Sequence, residues 1–215
     1  MLVRLVRFML YIWMRIFHGL QFHGLENIPR QGPVIIAANH PSYFDPVVLS
    51  LATERHIRFF ALAELLRIPL IGWFLRQWGI LPVYRGGDNE PTVQKALRIL
   101  QRGGAIGIFP EGRRSFQWLM GEPKPGVGRL AVQSGARIVP CVIYGTWKAW
   151  PHLTALPHPA KVVVDFLPPI EVAPEDTREN HERIARRIRD LIVAEQLKHR
   201  VGPAPSGAFR EAPDY

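Results

Sequence analysis

Apolar runs with strand character recur along the chain, at residues 33–38, 56–61, 79–84, 105–109, 137–143 and 161–166. Between most of them the spacing of apolar positions changes to a helical period, over 43–53, 91–102 and 127–134. Alternation of this kind predicts an α/β fold, a central β-sheet covered by helices. A last helix is predicted over about 175–199, with Ile184, Ile188, Leu191 and Ile192 on one face. Its other face carries Arg183, Arg186, Arg187 and Arg189, which reads as a solvated face. Beyond Arg200 the composition turns to Gly, Pro, Ala and Ser, so residues 201–215 are expected to form a flexible tail.

Two segments break the alternation. Residues 2–18 form an amphipathic helix: Arg4, Arg7, Tyr11, Arg15 and His18 share an arc of about 80°, and the rest of the circumference is apolar. The longest uncharged stretch, 8–14, is far short of the roughly 20 apolar residues of a spanning helix. No small-residue cleavage site follows it, which argues against a signal peptide. The expectation for residues 1–20 is a helix lying in a membrane interface, arginines toward anionic headgroups and aromatics toward acyl chains. The second segment, 59–82, is rich in Leu, Ile, Phe and Trp. Pro69 divides it into two short helices. Membrane contact and core packing both fit its composition.

The 215 residues suit one domain, here over 21–200. A 47% hydrophobic, 21% charged composition excludes a disordered chain. The net charge of +9 suits an anionic partner, such as an acidic membrane surface or a phosphorylated substrate. Nucleic acid is not expected, because no recognised reading motif is present. With one cysteine, Cys141, no intrachain disulfide can form. No metal site is expected either: His181-Glu182 opens like a metalloprotease helix, but Ala185 stands where its second His belongs.

Candidate chemistry begins at the end of the first strong strand, in Asn39-His40-Pro41-Ser42-Tyr43-Phe44-Asp45. On one continuous helix His40 and Asp45 would lie about 140° apart. Pro41 disfavours helical geometry at His40, so strand gives way to turn and then helix. Asp45 in the first helical turn can then fold back to the imidazole. A carboxylate on one ring nitrogen leaves the other free to take a proton from a hydroxyl or amine. A second constellation follows the strand at 105–109, in Pro110-Glu111-Gly112-Arg113-Arg114-Ser115. Acidic, glycine and basic residues at a strand end suit a ligand edge, and arginine matches phosphate oxygens. Arg85 and Lys124 are further cations of this kind, Arg85 at a strand end and Lys124 in a Pro-rich loop.

Four motifs in order resemble those of the glycerolipid acyltransferases, most closely the PlsC-like lysophosphatidate (1-acyl-sn-glycerol-3-phosphate) acyltransferases. His40…Asp45 resembles HxxxxD, Gly79–Arg85 the second motif, Phe109–Ser115 the FPEGTRS motif, and Val139–Ile143 the fourth. The similarity extends over about residues 20–170. The resemblance implies a mixed central β-sheet covered by helices, the glycerol-phosphate acyltransferase-like α/β fold. It implies that His40 deprotonates the acceptor hydroxyl, that Asp45 orients His40, and that an acyl thioester is attacked directly. Arg85, Glu111, Gly112, Arg114, and with them Arg113, Ser115 and Lys124, would bind the acceptor phosphate and hold the site geometry. Val139 and Pro140 would shape the acyl or donor pocket. Implied partners are lysophosphatidate, acyl-CoA or acyl carrier protein as co-substrate, and anionic membrane lipids at the cytoplasmic face, with no cofactor and no metal. Two positions depart from the family pattern: Tyr84 replaces an acidic residue and Arg113 replaces Thr.

Overall fold

The computed structural model describes residues 2–115, 119–150 and 156–198, with the backbone alone for 2–4. The tail expected over 201–215 lies outside the described residues. Seven strands form one sheet in the order β1-β7-β6-β2-β5-β3-β4. They are β1 (Gln21–His23), β2 (Val34–Ala38), β3 (Ile57–Leu62), β4 (Leu81–Val83), β5 (Ala105–Ile108), β6 (Arg137–Tyr144) and β7 (Val163–Phe166). Strands β6, β2, β5, β3 and β4 run parallel; β7 pairs antiparallel with β6, and β1 parallel with β7. The sheet is therefore mixed, as the resemblance implied.

Every residue of β2 is buried, which is why it reads as a continuous apolar run rather than an alternating one. Val34, Ile36 and Ala38 face the side covered by α1 (Leu2–His18) and α2 (Asp45–Leu51), through Met14, Val48 and Leu49. Ile35 and Ala37 face α4 (Glu90–Gln101), α5 (Gly126–Ser134) and α7 (Arg178–Lys198), through Leu97, Leu130, Ile184 and Ile188. One strand and one α-helix were not expected from periodicity: the three residues of β1 and the four of α6 (Thr146–Ala149). Both are too short to complete a recognisable period. The division at Pro69 is as expected, a 3₁₀ turn over Ala63–Arg67 and then α3 (Pro69–Gln77), with proline opening the helix.

The orientation of α1 differs from the expectation. Arg7 donates to the carbonyl of Ser50 at 2.7 Å and to that of Thr53, and Arg15 to that of Leu20 at 2.6 Å. These arginines hold protein carbonyls rather than reaching outward for headgroups. The outward face is apolar instead: Leu5, Phe8, Met9, Ile12 and Ile16 are exposed, and they share an arc of about 100°.

Gly107 on β5 has no room for a side chain, since a Cβ there would lie 2.0 Å from the Phe59 ring. Gly107→Ala is expected to destabilise the protein by about 1–3 kcal/mol, the usual cost of overpacking a filled core. Urea unfolding measures this, and a midpoint equal to wild type would mean the Phe59 ring moves without resistance.

Candidate active site

The five parallel strands point their C-terminal ends to one edge, where α/β sheets collect ligand-binding groups. His40 lies just past the end of β2. Before it, Asn39 is buried and its side chain continues the ladder to β6: Nδ2 donates to the Ile143 carbonyl at 3.1 Å, and Oδ1 accepts from the Ile143 amide at 2.8 Å. Pro41 then turns the chain, and Asp45 opens α2. Its Oδ2 accepts from the Ser42 amide at 2.7 Å and lies 2.7 Å from His40 Nδ1. An ionised carboxylate only accepts, so Nδ1 carries the ring proton and Nε2 is left as the basic nitrogen. The ring stacks on Phe109 at 3.9 Å between centroids, with Phe59 stacked behind. The His40 side chain is 18% exposed, so the ring is fixed yet reachable.

Asp45 is completely buried. Burial raises its pKa, and the hydrogen bond and charge of His40, the Thr146 hydroxyl and the Ser42 amide oppose that rise. Thr146, at the start of α6, favours the carboxylate through proximity. Among the described residues its hydroxyl and Asp45 Oδ1 make no hydrogen bond of good geometry.

Glu111 is buried and its carboxylate is committed to backbone. Oε1 accepts from the His40 amide at 3.2 Å and Oε2 from the Gly121 amide at 3.1 Å. The Ser115 amide donates to the His40 carbonyl at 2.9 Å. The loop after β5 thus grips His40 by both its backbone groups, so Glu111 and Ser115 brace His40. Glu111→Ala is expected to cost about 1–3 kcal/mol for the amides left unpaired, and to lower turnover by loosening His40. Thermal melting and kcat should fall together. Glu111→Gln, which keeps one acceptor, should recover part of both.

Arg114 sits over Tyr43, with the guanidinium carbon 3.7 Å from the ring centroid. Burial lowers its pKa, while Tyr43 and Asp45 oppose the fall. Gly112 adopts φ +69°, a turn that favours glycine, and the Lys124 side chain lies against its Cα. The Lys124 amide also donates to the Pro110 carbonyl at 2.8 Å. Arg113 and Lys124 are exposed here, so three cations gather around Gly112. Arg85 follows β4 at the same edge, two strands from β5 in sheet order. Val139 and Pro140 are buried within β6, opposite Ile36 and Ala37. They lie in the sheet interior, Val139 within the cluster on the α1 side.

Asn39, Tyr43, Phe109 and Thr146 belong to this site without having been given roles from the sequence. Thr146 follows the end of β6, a strand-end position like those of Arg85 and Glu111 and so marked in the sequence in the same way. The stacking of Phe109 and the Tyr43–Arg114 contact join segments distant in the chain and leave no local signal. Together these groups can take a proton from a hydroxyl at His40 Nε2 and attract an anion to the neighbouring cations.

A family model described as Acyltransferase matches residues 19–144. A 1-acyl-sn-glycerol-3-phosphate acyltransferase of Borreliella burgdorferi is 30% identical over 172 residues, covering 79% of this chain and 68% of that protein. A chloroplastic 1-acyl-sn-glycerol-3-phosphate acyltransferase of Arabidopsis thaliana is 30% identical over 138 residues, 63% of this chain. The chain spans 38% of the length of that relative and 40% of a Brassica napus counterpart. The crystal structure of the 1-acyl-sn-glycerophosphate acyltransferase PlsC from Thermotoga maritima is similar at a TM-score of 0.70 and 27% identity. The match covers 89% of this chain and 77% of that one. With the family model spanning more than half of its residues, the chain belongs to the acyltransferase family.

Proposed function

We propose that the protein transfers a fatty acyl group from an acyl thioester to the free hydroxyl of lysophosphatidate, giving phosphatidate. The observation that carries this reading is the 2.7 Å contact of His40 Nδ1 with a fully buried Asp45, beside a cluster of cations. His40 Nε2 takes the proton of the acceptor hydroxyl as its oxygen attacks the thioester carbonyl. The tetrahedral intermediate collapses, the C–S bond breaks, and the thiolate leaves with the proton returned from the imidazolium. No acyl-enzyme forms, and the balance calls for no metal or cofactor. Arg114, Arg113 and Lys124 hold the phosphate, with Arg85 at the far side of the edge. Val139 and Pro140 form the floor behind the acyl group. The donor is acyl-CoA or acyl carrier protein.

The protein acts as a monotopic protein at the cytoplasmic face of a membrane. The exposed apolar arc of α1 supports attachment without crossing, and no helix among the described residues is long and apolar enough to span a bilayer. Arg113, where the family carries Thr, supports a second acceptor of the same chemistry, another anionic lysolipid. The test compares lysophosphatidate with monoacylglycerol, which lacks the phosphate. Losing two or more charge-assisted hydrogen bonds should lower kcat/KM for monoacylglycerol by about two orders of magnitude. Equal use of the two acceptors would overturn phosphate recognition by this cluster.

A further inference from the structure

Apolar residues of the α3 segment belong to neither core. Ile68, Leu70, Ile71 and Trp73 are all exposed, Leu70 by 84% and Trp73 by 57%. No residue from Ala63 to Trp78 joins the two buried clusters of the sheet. The segment is nonetheless built rather than loose. Gly72 packs its Cα on the backbone of Leu66, where a Cβ would come within 2.2 Å of the carbonyl oxygen. Arg76 donates to that same Leu66 carbonyl at 2.8 Å. These ties fold α3 back on the 3₁₀ turn and aim its apolar side chains away from the protein.

The connection from β3 to β4 places α3 on the α1 side of the sheet. Steps from β2 to β3 and from β3 to β4 proceed in the same direction across the sheet. Parallel crossovers are right-handed, so α3 lies on the face where α2 lies, which is also the face of α1. His56, just before β3, holds the end of α3: Nε2 donates to the Trp78 carbonyl at 2.8 Å. The first turn of α3 follows the C-terminal end of β3, at the catalytic edge. The C-terminal turn of α1 reaches that edge too, where Trp13 and His18 pack on Phe44 beside Asp45.

We propose that the first turn of α3 is a second membrane-contact element, entering the boundary between headgroups and acyl chains of an anionic bilayer alongside α1. The proposal rests on the membrane-attached reading above. Charge favours lipid as the occupant: residues 58–78 carry Arg58, Arg67 and Arg76 against one acid, Glu64. Trp73 has the amphipathic ring that settles at bilayer interfaces. Contacts on both sides of the His40 loop would seat the catalytic edge on the bilayer, so that a lysolipid reaches His40 without leaving it fully.

The test uses the full chain with a nitroxide at Leu70→Cys or, separately, at Ile16→Cys on α1; Cys141 is buried and stays unlabelled. Vesicles of phosphatidylcholine and phosphatidylglycerol are added, and accessibility to oxygen and to a water-soluble nickel chelate is read. Both labels should become shielded from nickel. Leu70→Glu/Trp73→Glu should lower vesicle partitioning by about a hundredfold, with melting unchanged because both side chains are exposed. A shielded Ile16 label with a Leu70 label still in water overturns the proposal while α1 attachment stands. Both labels in water overturns the attachment reading as well. A Leu70 label shielded without vesicles, with concentration-dependent dimers, assigns the patch to a second copy and also overturns it.

Discussion

Replacing His40 by alanine is expected to lower turnover by about three orders of magnitude or more, because the proposed reaction takes its base from this imidazole. Asp45 and the cations around Gly112 stay in place, so acceptor binding should survive and the loss should fall on kcat. The fold should persist as well. The imidazole is replaced at the rim of the core, and Glu111 and Ser115 still hold the backbone of residue 40. A pH signature accompanies the change. His40 lowers the pKa of Asp45 against the effect of burial. Without it that pKa rises further, and ionising the buried carboxylate costs more. The variant should therefore lose stability relative to wild type as pH rises through the raised Asp45 pKa, and match it more closely at acid pH. Activity near wild type would remove His40 from the chemistry.

Asp45→Asn should separate activity from stability. The amide is isosteric and its oxygen can still accept from the Ser42 amide. The Ser42 amide and His40 Nδ1 meet the same oxygen, Oδ2, so the hydrogen bond that sets the ring tautomer persists as well, and what is lost is the negative charge that stabilises the imidazolium formed when His40 takes the proton. By analogy with carboxylates that orient a catalytic histidine, kcat should fall by about 10²- to 10⁴-fold. The stability effect has the opposite sign. Burial raises the Asp45 pKa in the folded protein, so the fold binds that proton more tightly than the unfolded chain does. The associated stability is present below the ordinary carboxylate pKa and is lost as pH rises through the raised value. Asparagine carries no charge and escapes that loss. At neutral pH the variant should melt at or above the wild-type temperature, a trade of stability for function. A variant that keeps its activity, or one that melts far below wild type, would contradict this account of Asp45.

Strands β2 and β5 were legible in the sequence because burial on both sheet faces leaves continuous apolar runs. The His40–Asp45 pair was legible because Pro41 breaks the strand and brings residues five apart back together. Strand β1 was not, since three residues at a sheet edge owe their conformation to pairing with β7. Periodicity drew the two arcs of α1 correctly but could not say which faces the protein. That was decided by the carbonyls of Ser50, Thr53 and Leu20, which Arg7 and Arg15 satisfy. Glu111 was grouped with the residues that bind the phosphate and hold the site geometry, without its partners being legible. Both its oxygens accept backbone amides, and a backbone donor has no signature in a sequence. The Arg114–Tyr43 contact escaped for a related reason: it joins the loops after β5 and β2, which only the parallel sheet brings together.

The proposed reaction is decided by incubating the purified full chain, in vesicles, with lysophosphatidate and an acyl thioester, and following product by mass spectrometry. The prediction is phosphatidate carrying the donor's acyl chain, formed with one free thiol released per product, and absent with His40→Ala. Lysophosphatidate left unacylated with both acyl-CoA and acyl carrier protein donors, or acylated equally by the His40→Ala variant, would contradict it.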